Sequence, residues 1–350
     1  MKRALGVALL VLIVACSDSF EPASFVESLR VVAARVEVEG KPGRANPDPG
    51  DTVTVTNLVI DRGRPLIEGE PPPFAPPPLQ WLFIACVPAP SVLPVAICQI
   101  ILECEGCEAT PPEDPLALPI VSFTIPSADE LEEAGASAVV LQGAICANGA
   151  PTSADAILQF FTGQTDELDP CEDPDNEGRF ISAQVLIEQD PDDPNLNPEI
   201  ADVTLNGRAW PPPFDQGVPR DFPSTGCSTV IDPDTDLPRG GDPPSAITLR
   251  ATDASFQTLD IDGTEVTEEI QISWLSDGGA FEFSFSFITD PARSATIQWA
   301  PPGFPSTGGT LVRFTFPVRD RASPESSAGA NRGGVDYVER GLCILPAGSE

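Results

Sequence analysis

The chain has 350 residues, 53 of them acidic and 19 basic, no histidine, and a formal charge of −34. Such an acidic balance excludes a basic phosphate-binding footprint, and with it nucleic acid as a partner. The missing histidine excludes the usual Ser-His-Asp and Cys-His catalytic sets and every histidine-ligated zinc site.

The chain opens with Met1, Lys2 and Arg3, followed by an unbroken apolar run from Ala4 to Ala15 and then Cys16. A basic start, a short apolar stretch and a small residue before a cut predict a secretory signal. The run is too short to span a bilayer as a helix. The junction "IVAC" resembles the lipobox of bacterial lipoproteins. That resemblance implies cleavage before Cys16 and a diacylglycerol on its sulfur; an ordinary signal peptide with a chance cysteine is the alternative. Loss of Lys2 and Arg3 takes the charge to −36. Ser17 stands where an aspartate, in that family, tends to retain the protein at the inner membrane. The expected address is therefore the cell envelope, at the outer membrane where the cell has one, with the membrane as a partner through the lipid on Cys16. Eight further cysteines, an even number, predict disulfides in an oxidising compartment.

Strand patterns follow one another along the chain. "TVTVTNLVI" sets Val53, Val55 and Val59 on one face. "LQWLFIAC" carries Trp81, and "VSFTIP", "AVVLQGAIC" and "GRFISAQVLI" read as further strands. Between them "SADELEEAG" is the one helical piece expected, with Ser127 and Glu130 at capping-box spacing. In the second half come "IQISW" with Trp274, "FEFSFSF", "ATIQWAPP", "TLVRFTFPV" and "VDYVERGLCIL". The alternation in "FEFSFSF" puts Phe281, Phe283, Phe285 and Phe287 on one face of a half-buried strand. Turns are expected at Asn206–Gly207 and Asp277–Gly279. "EPPPFAPPP" reads as a stiff loop or a proline-recognition ligand, and "DRASPESSAGANRGG" as a flexible loop. "QDPDDPNLNPEI" (189–200) has no apolar period and reads as a domain junction open to proteolysis.

These signals predict an all-β chain of two immunoglobulin-like β-sandwich domains behind a lipoprotein signal peptide. The expected bounds are 1–15 for the signal, 16–23 for a lipid-anchored tether, 24–198 for the first sandwich and 199–350 for the second. The segments "SLRVVAARVEVEGKPGRANPDPGDTVTVTNLVID" and "RGGVDYVERGL" resemble bacterial surface lipoproteins with Ig-like or PKD-like repeats. The resemblance implies the sandwich and no catalytic residues.

Candidate sites are few. Asp173, Asp175 and Glu177 in "DPDNEG" stand at the offsets of a calcium-loop start, with Gln184 where a bidentate glutamate belongs. "DPDTD" (232–236) is weaker still. Lys41 lies in "EGKPGR", which is no phosphate loop. "CEGC" (Cys104, Cys107) reads as structural before zinc or redox. "FPSTG", at 222–226 and 304–308, resembles a wall-sorting motif but reads more simply as turns. If the junction lies near Pro198, Cys227 and Cys343 are the only cysteines of the second domain and are expected to pair. The six others allow fifteen connectivities, among which Cys146–Cys171 is the one guessed. The expected function is non-enzymatic: a lipid-anchored envelope protein with a structural, adhesive or protein-contact role and no cofactor. A calcium- or glycan-binding surface module is the alternative, and a carboxylate glycosidase a distant third.

Overall fold

The computed structural model describes residues 24–26, 28–60, 79–90, 97–108, 118–147, 149–164, 168–188, 192–210, 240–261, 264–303, 305, 308–321 and 331–347. The chain is all-β; among the described residues the strands pair antiparallel with one another, and Phe25 adds an isolated parallel bridge to Ser276. Its first half contributes β1 (Arg30–Val38), β2 (Thr52–Ile60), β3 (Leu79–Pro88), β4 (Cys98–Ile101), β5 (Cys104–Glu105), β6 (Ile120–Thr124), β7 (Ala138–Ala147) and β8 (Gly178–Leu186). These form two four-stranded sheets, in the orders β1-β2-β6-β5 and β4-β3-β7-β8. One core joins Val53, Val55, Val59 and Phe123 of the first sheet to Trp81, Phe83, Leu141 and Ile145 of the second.

Helix α1 (Ala128–Ala134) forms where the capping box falls: the Ser127 hydroxyl accepts from the Glu130 amide, and the Glu130 carboxylate accepts from Ser127 N–H. Gly135 ends it in the left-handed conformation. A second helix, α2 (Ala154–Phe161), was not expected. Ser153 caps it, and Ile157 seats it against Ile84 and Ala144 on the outer face of the second sheet. Phe160 stacks on Phe180 at 3.9 Å between centroids.

The second half contributes β9 (Ile200–Leu205), β10 (Arg208–Ala209), β11 (Ser245–Ala251), β12 (Thr258–Ile261), β13 (Thr264–Thr267), β14 (Glu269–Ser273), β15 (Leu275–Ser276), β16 (Ala280–Phe281), β17 (Phe285–Ile288), β18 (Ser294–Ala300), β19 (Thr310–Arg321) and β20 (Asn331–Ile344). One sheet has the order β10-β9-β11-β18-β16. In the other, β14 and β15 pair with successive parts of β19, β20 lies on the far side of β19, and β17 is the outer strand beyond β14. β12 and β13 form a separate hairpin. The core between the sheets is aromatic: Trp274, Trp299, Phe314 and Phe316 are fully buried, with Trp210 edge-on to Phe314. Each of the four indole N–H groups donates inside the fold: Trp81 to Gly106 O, Trp210 to Gly341 O, Trp274 to Ser286 Oγ and Trp299 to Gly278 O. A buried indole needs such a partner.

Both turns expected from sequence are present. Asn206 and Gly207 have φ of 51° and 77°, the two positive values a tight β9–β10 hairpin requires. Gly279 has φ of 74°, and a Cβ there would stand 2.4 Å from Ala300 O. The stretch read as an open junction is different. From residue 192 onward it is a strap bonded to both halves. Asn195 is fully buried; its N–H donates to Glu188 and its side-chain amide to Asp320. Asn197 donates to Val36 O and accepts from Val335 N–H, while Leu196 N–H donates to Gln257. Asparagine amides here complete main-chain hydrogen bonding that no strand supplies. Arg35 and Asp336 add an ion pair of 2.8 Å between β1 and β20.

Candidate functional site: an exposed phenylalanine edge

The stretch "FEFSFSF" departs most from expectation. Phe281 is buried beside Trp274. Beyond it the strand breaks, and in β17 the inner face is taken by Ser286 and Ile288. Ser286 lies inside because its hydroxyl accepts the Trp274 indole N–H at 2.9 Å. The alternation then turns the aromatics outward: Phe283, Phe285 and Phe287 are 61%, 52% and 40% exposed. Phe285 and Phe287 lie on β17, an outermost strand of its sheet that pairs on one side only, with β14, and Phe283 lies just before it. Phe285 and Phe287 meet edge-to-face, with centroids 5.8 Å apart and planes at 76°. The Arg321 guanidinium lies 5.9 Å from the centroid of Phe287 and donates to Gln271. An apolar row on an unpaired strand edge is a ready template for association, one that proteins without a partner usually blunt. A smaller exposed set, Ile100, Ile101 and Ile120, sits on the first half.

The other candidates fall as follows. Cys16, Cys227, the proline-rich 70–78 stretch, "DPDTD" and the first "FPSTG" lie outside the described residues, as do Phe304, Ser306 and Thr307 of the second. The structure joins Cys146 to Cys171, the pairing guessed from sequence, and also Cys86 to Cys98 and Cys104 to Cys107. Cys343 is disulfide-bonded as well. Thus "CEGC" is an oxidised clasp on the strand beside β6, with Cys107 in the core.

The calcium candidates do not converge. Asp173 closes a local turn by accepting from Asp175 N–H. Glu177 is turned to the residue before β1, where it accepts the Leu29 amide at 2.7 Å, and it lies 3.6 Å from Arg179. Among the described residues no group of three or more potential ligands could hold a metal ion. Lys41 is a structural clamp, bonded to Asp48 and Asp51 across the β1–β2 turn. Carboxylates gather in one open hollow of about 450 Å³, lined by Glu37, Glu39 and Glu105. The Asp277 carboxyl is pushed upward, to about 6, because burial disfavours its charge more than Arg313 favours it. Its oxygen accepts the Arg313 N–H at 2.7 Å, a turn-holding role. No helix among the described residues is long and apolar enough to cross a membrane.

No protein-family model matches the chain, and a comparison with curated proteins finds no match.

Proposed function

We propose that this chain is a lipid-anchored cell-envelope protein, built of two immunoglobulin-like sandwiches, that docks a protein partner on the Phe283–Phe285–Phe287 edge. The exposed aromatic row at an unpaired strand edge carries this reading. The lipobox-like junction at Cys16 supports the anchor, and the disulfides support an oxidising compartment. A protein contact is favoured over a glycan because Phe285 and Phe287 stand edge-to-face and offer no flat platform to a sugar ring. Calcium is disfavoured because Glu177 is already engaged by Leu29 and Arg179.

The experiment has two parts. Cys16→Ser should abolish acyl labelling and release the chain from the membrane; unchanged partitioning refutes the anchor. A photo-crosslinker at position 285, compared in whole cells with one at the exposed Arg250 on the opposite sheet, should give a discrete adduct at 285 alone. That adduct should vanish when Phe283 and Phe287 are changed to serine. Adducts that are identical at the two positions, or indifferent to the serines, refute the docking edge.

A further inference from the structure

β1 and β8 are neighbouring outer strands of the two sheets that enclose the first core, and each is paired on one side only. A groove follows the seam between them. It consists of two adjoining hollows of about 460 and 400 Å³ that share Val31, Val32, Ile181 and Ser182. Such volumes are in the range of ligand clefts. The second half walls one end of the groove with Arg319, Gly333 and Val335.

Two side chains in that end are unsatisfied. Asn57 occupies an inward position of β2, in step with Val53, Val55 and Val59, and so its amide faces the interior where the seam opens. It is fully buried, and neither Oδ1 nor Nδ2 has a hydrogen-bond partner. An amide left so in a core costs stability and calls for a partner. Arg319 is half-buried and donates to Val32 O. Among the described residues it has no carboxylate partner, in a chain where acids outnumber bases 53 to 19. Burial, and then the neighbouring Arg321, hold its pKa below the ordinary arginine value.

The two groups ask for complementary chemistry. A side-chain amide with both a free donor and a free acceptor pairs reciprocally with a peptide group. A guanidinium takes a carboxylate through two parallel hydrogen bonds. A peptide group next to a free carboxylate is the carboxyl-terminal end of a peptide. A groove bounded by two strand edges suits an extended chain, which could lay its main chain along them. We propose that the β1–β8 seam binds the free carboxyl terminus of a short peptide, with the carboxylate on Arg319 and the last peptide group on the side-chain amide of Asn57. This site is independent of the phenylalanine edge.

The test is calorimetric titration of the full chain, in detergent micelles, with N-acetyl-Ala-Ala bearing either a free carboxylate or a carboxamide cap. The free acid should bind saturably and the capped form at least tenfold more weakly. Arg319→Met should erase that difference, Arg319→Lys should keep part of it, and Asn57→Leu should weaken both forms about tenfold while the chain melts no lower than wild type. A hexapeptide ending in the same Ala-Ala separates two sources of this chemistry: equal or tighter binding assigns a protein tail, and weaker binding a free dipeptide. Absence of saturable binding by the free acid, or equal binding of both forms by the wild-type chain, overturns the proposal without recourse to any variant. Discrimination that survives Arg319→Met overturns it too.

Discussion

Replacing Asn57 by leucine should stabilise the protein, an unusual outcome for a fully buried position. Asn57 is 0% exposed, and both polar atoms of its side chain lack a partner. Leaving one buried donor or acceptor unmade costs about 1–3 kcal/mol. Leucine has nearly the same length and shape, no polar atom, and neighbours of its own kind in Val55 and Val59. The adjoining hollow of about 400 Å³ gives its branched end room, so overpacking is not the counterweight it is in a tight core. A gain of about 2 kcal/mol follows, or a rise in melting temperature of roughly 4–8 °C for a unit of this size. Differential scanning calorimetry of the oxidised chain, with urea unfolding followed by amide exchange in β2, measures it. Asn57→Asp is the opposing control, because a charge there cannot be satisfied and should cost about 3 kcal/mol or more. A loss of stability in Asn57→Leu would show that the amide is bonded in the native protein, and both the penalty and the free hydrogen-bonding capacity argued for the seam would fall.

Three further outcomes are expected. The folded-state pKa of Asp277, about 6, lies above its ordinary value of 3.8, so this group favours folding most below pH 4 and the advantage is lost as pH rises to 6. Asp277→Asn keeps an acceptor for Arg313 N–H; it should flatten the stability profile between pH 4 and 6 and add at most about 3 kcal/mol at pH 7, less where water reaches the carboxyl. An unchanged slope in urea midpoints refutes this. Gly279→Ala should lower stability by about 2–4 kcal/mol, since a Cβ at φ 74° would meet Ala300 O at 2.4 Å and the Trp299 ring at 2.6 Å; a melting point within a degree of wild type contradicts it. Non-reducing peptide mapping should find Cys343 linked to Cys227, closing a loop that chain-entropy arguments value at about 5 kcal/mol. A Cys227 peptide that is free or joined elsewhere refutes the pairing.

Local signals read well from sequence where one short stretch decides the outcome. Ser127 and Glu130 make both bonds of their capping box, and Asn206–Gly207 makes its turn, because each device is complete within four residues. β2, β3 and β7 were legible from their valine alternation or continuous apolar runs. Helix α2 had a readable cap in Ser153 and apolar spacing in Ile157 and Phe161, but its eight residues, set among strands, gave too short a period to outweigh them. The strap through Asn195 and Asn197 could not be read. Its composition is that of a loop, and its burial depends on Glu188, Gln257, Asp320 and Val335, far away in the chain. The seam was hidden for the same reason: Asn57 looks like one polar residue in a good strand, and Arg319 lies 262 positions later.

The phenylalanine row shows what periodicity alone leaves undecided. A period of two divides a strand into two faces, and hydrophobicity then assigns the more apolar face to the core. In β17 that rule gives the wrong face, because a partner outweighs the transfer energy of the side chains. Trp274 sits wholly inside, and its indole N–H needs an acceptor there; only an inward Ser286 supplies one from β17, at 2.9 Å. Inverting the strand would bury the half of Phe285 and Phe287 that is still exposed, worth roughly 1 kcal/mol each. It would also expose Ile288, now fully buried, orphan the indole and force two more rings into a core already filled by Phe281, Phe314 and Phe316. The register is therefore fixed from the inside by a serine and an indole, and the phenylalanines are left on the open edge as its consequence. A stripe that core packing had merely failed to accommodate could be any apolar residue; three exposed aromatics, Phe285 and Phe287 on an edge strand paired on one side and Phe283 just before it, are what a docking surface requires.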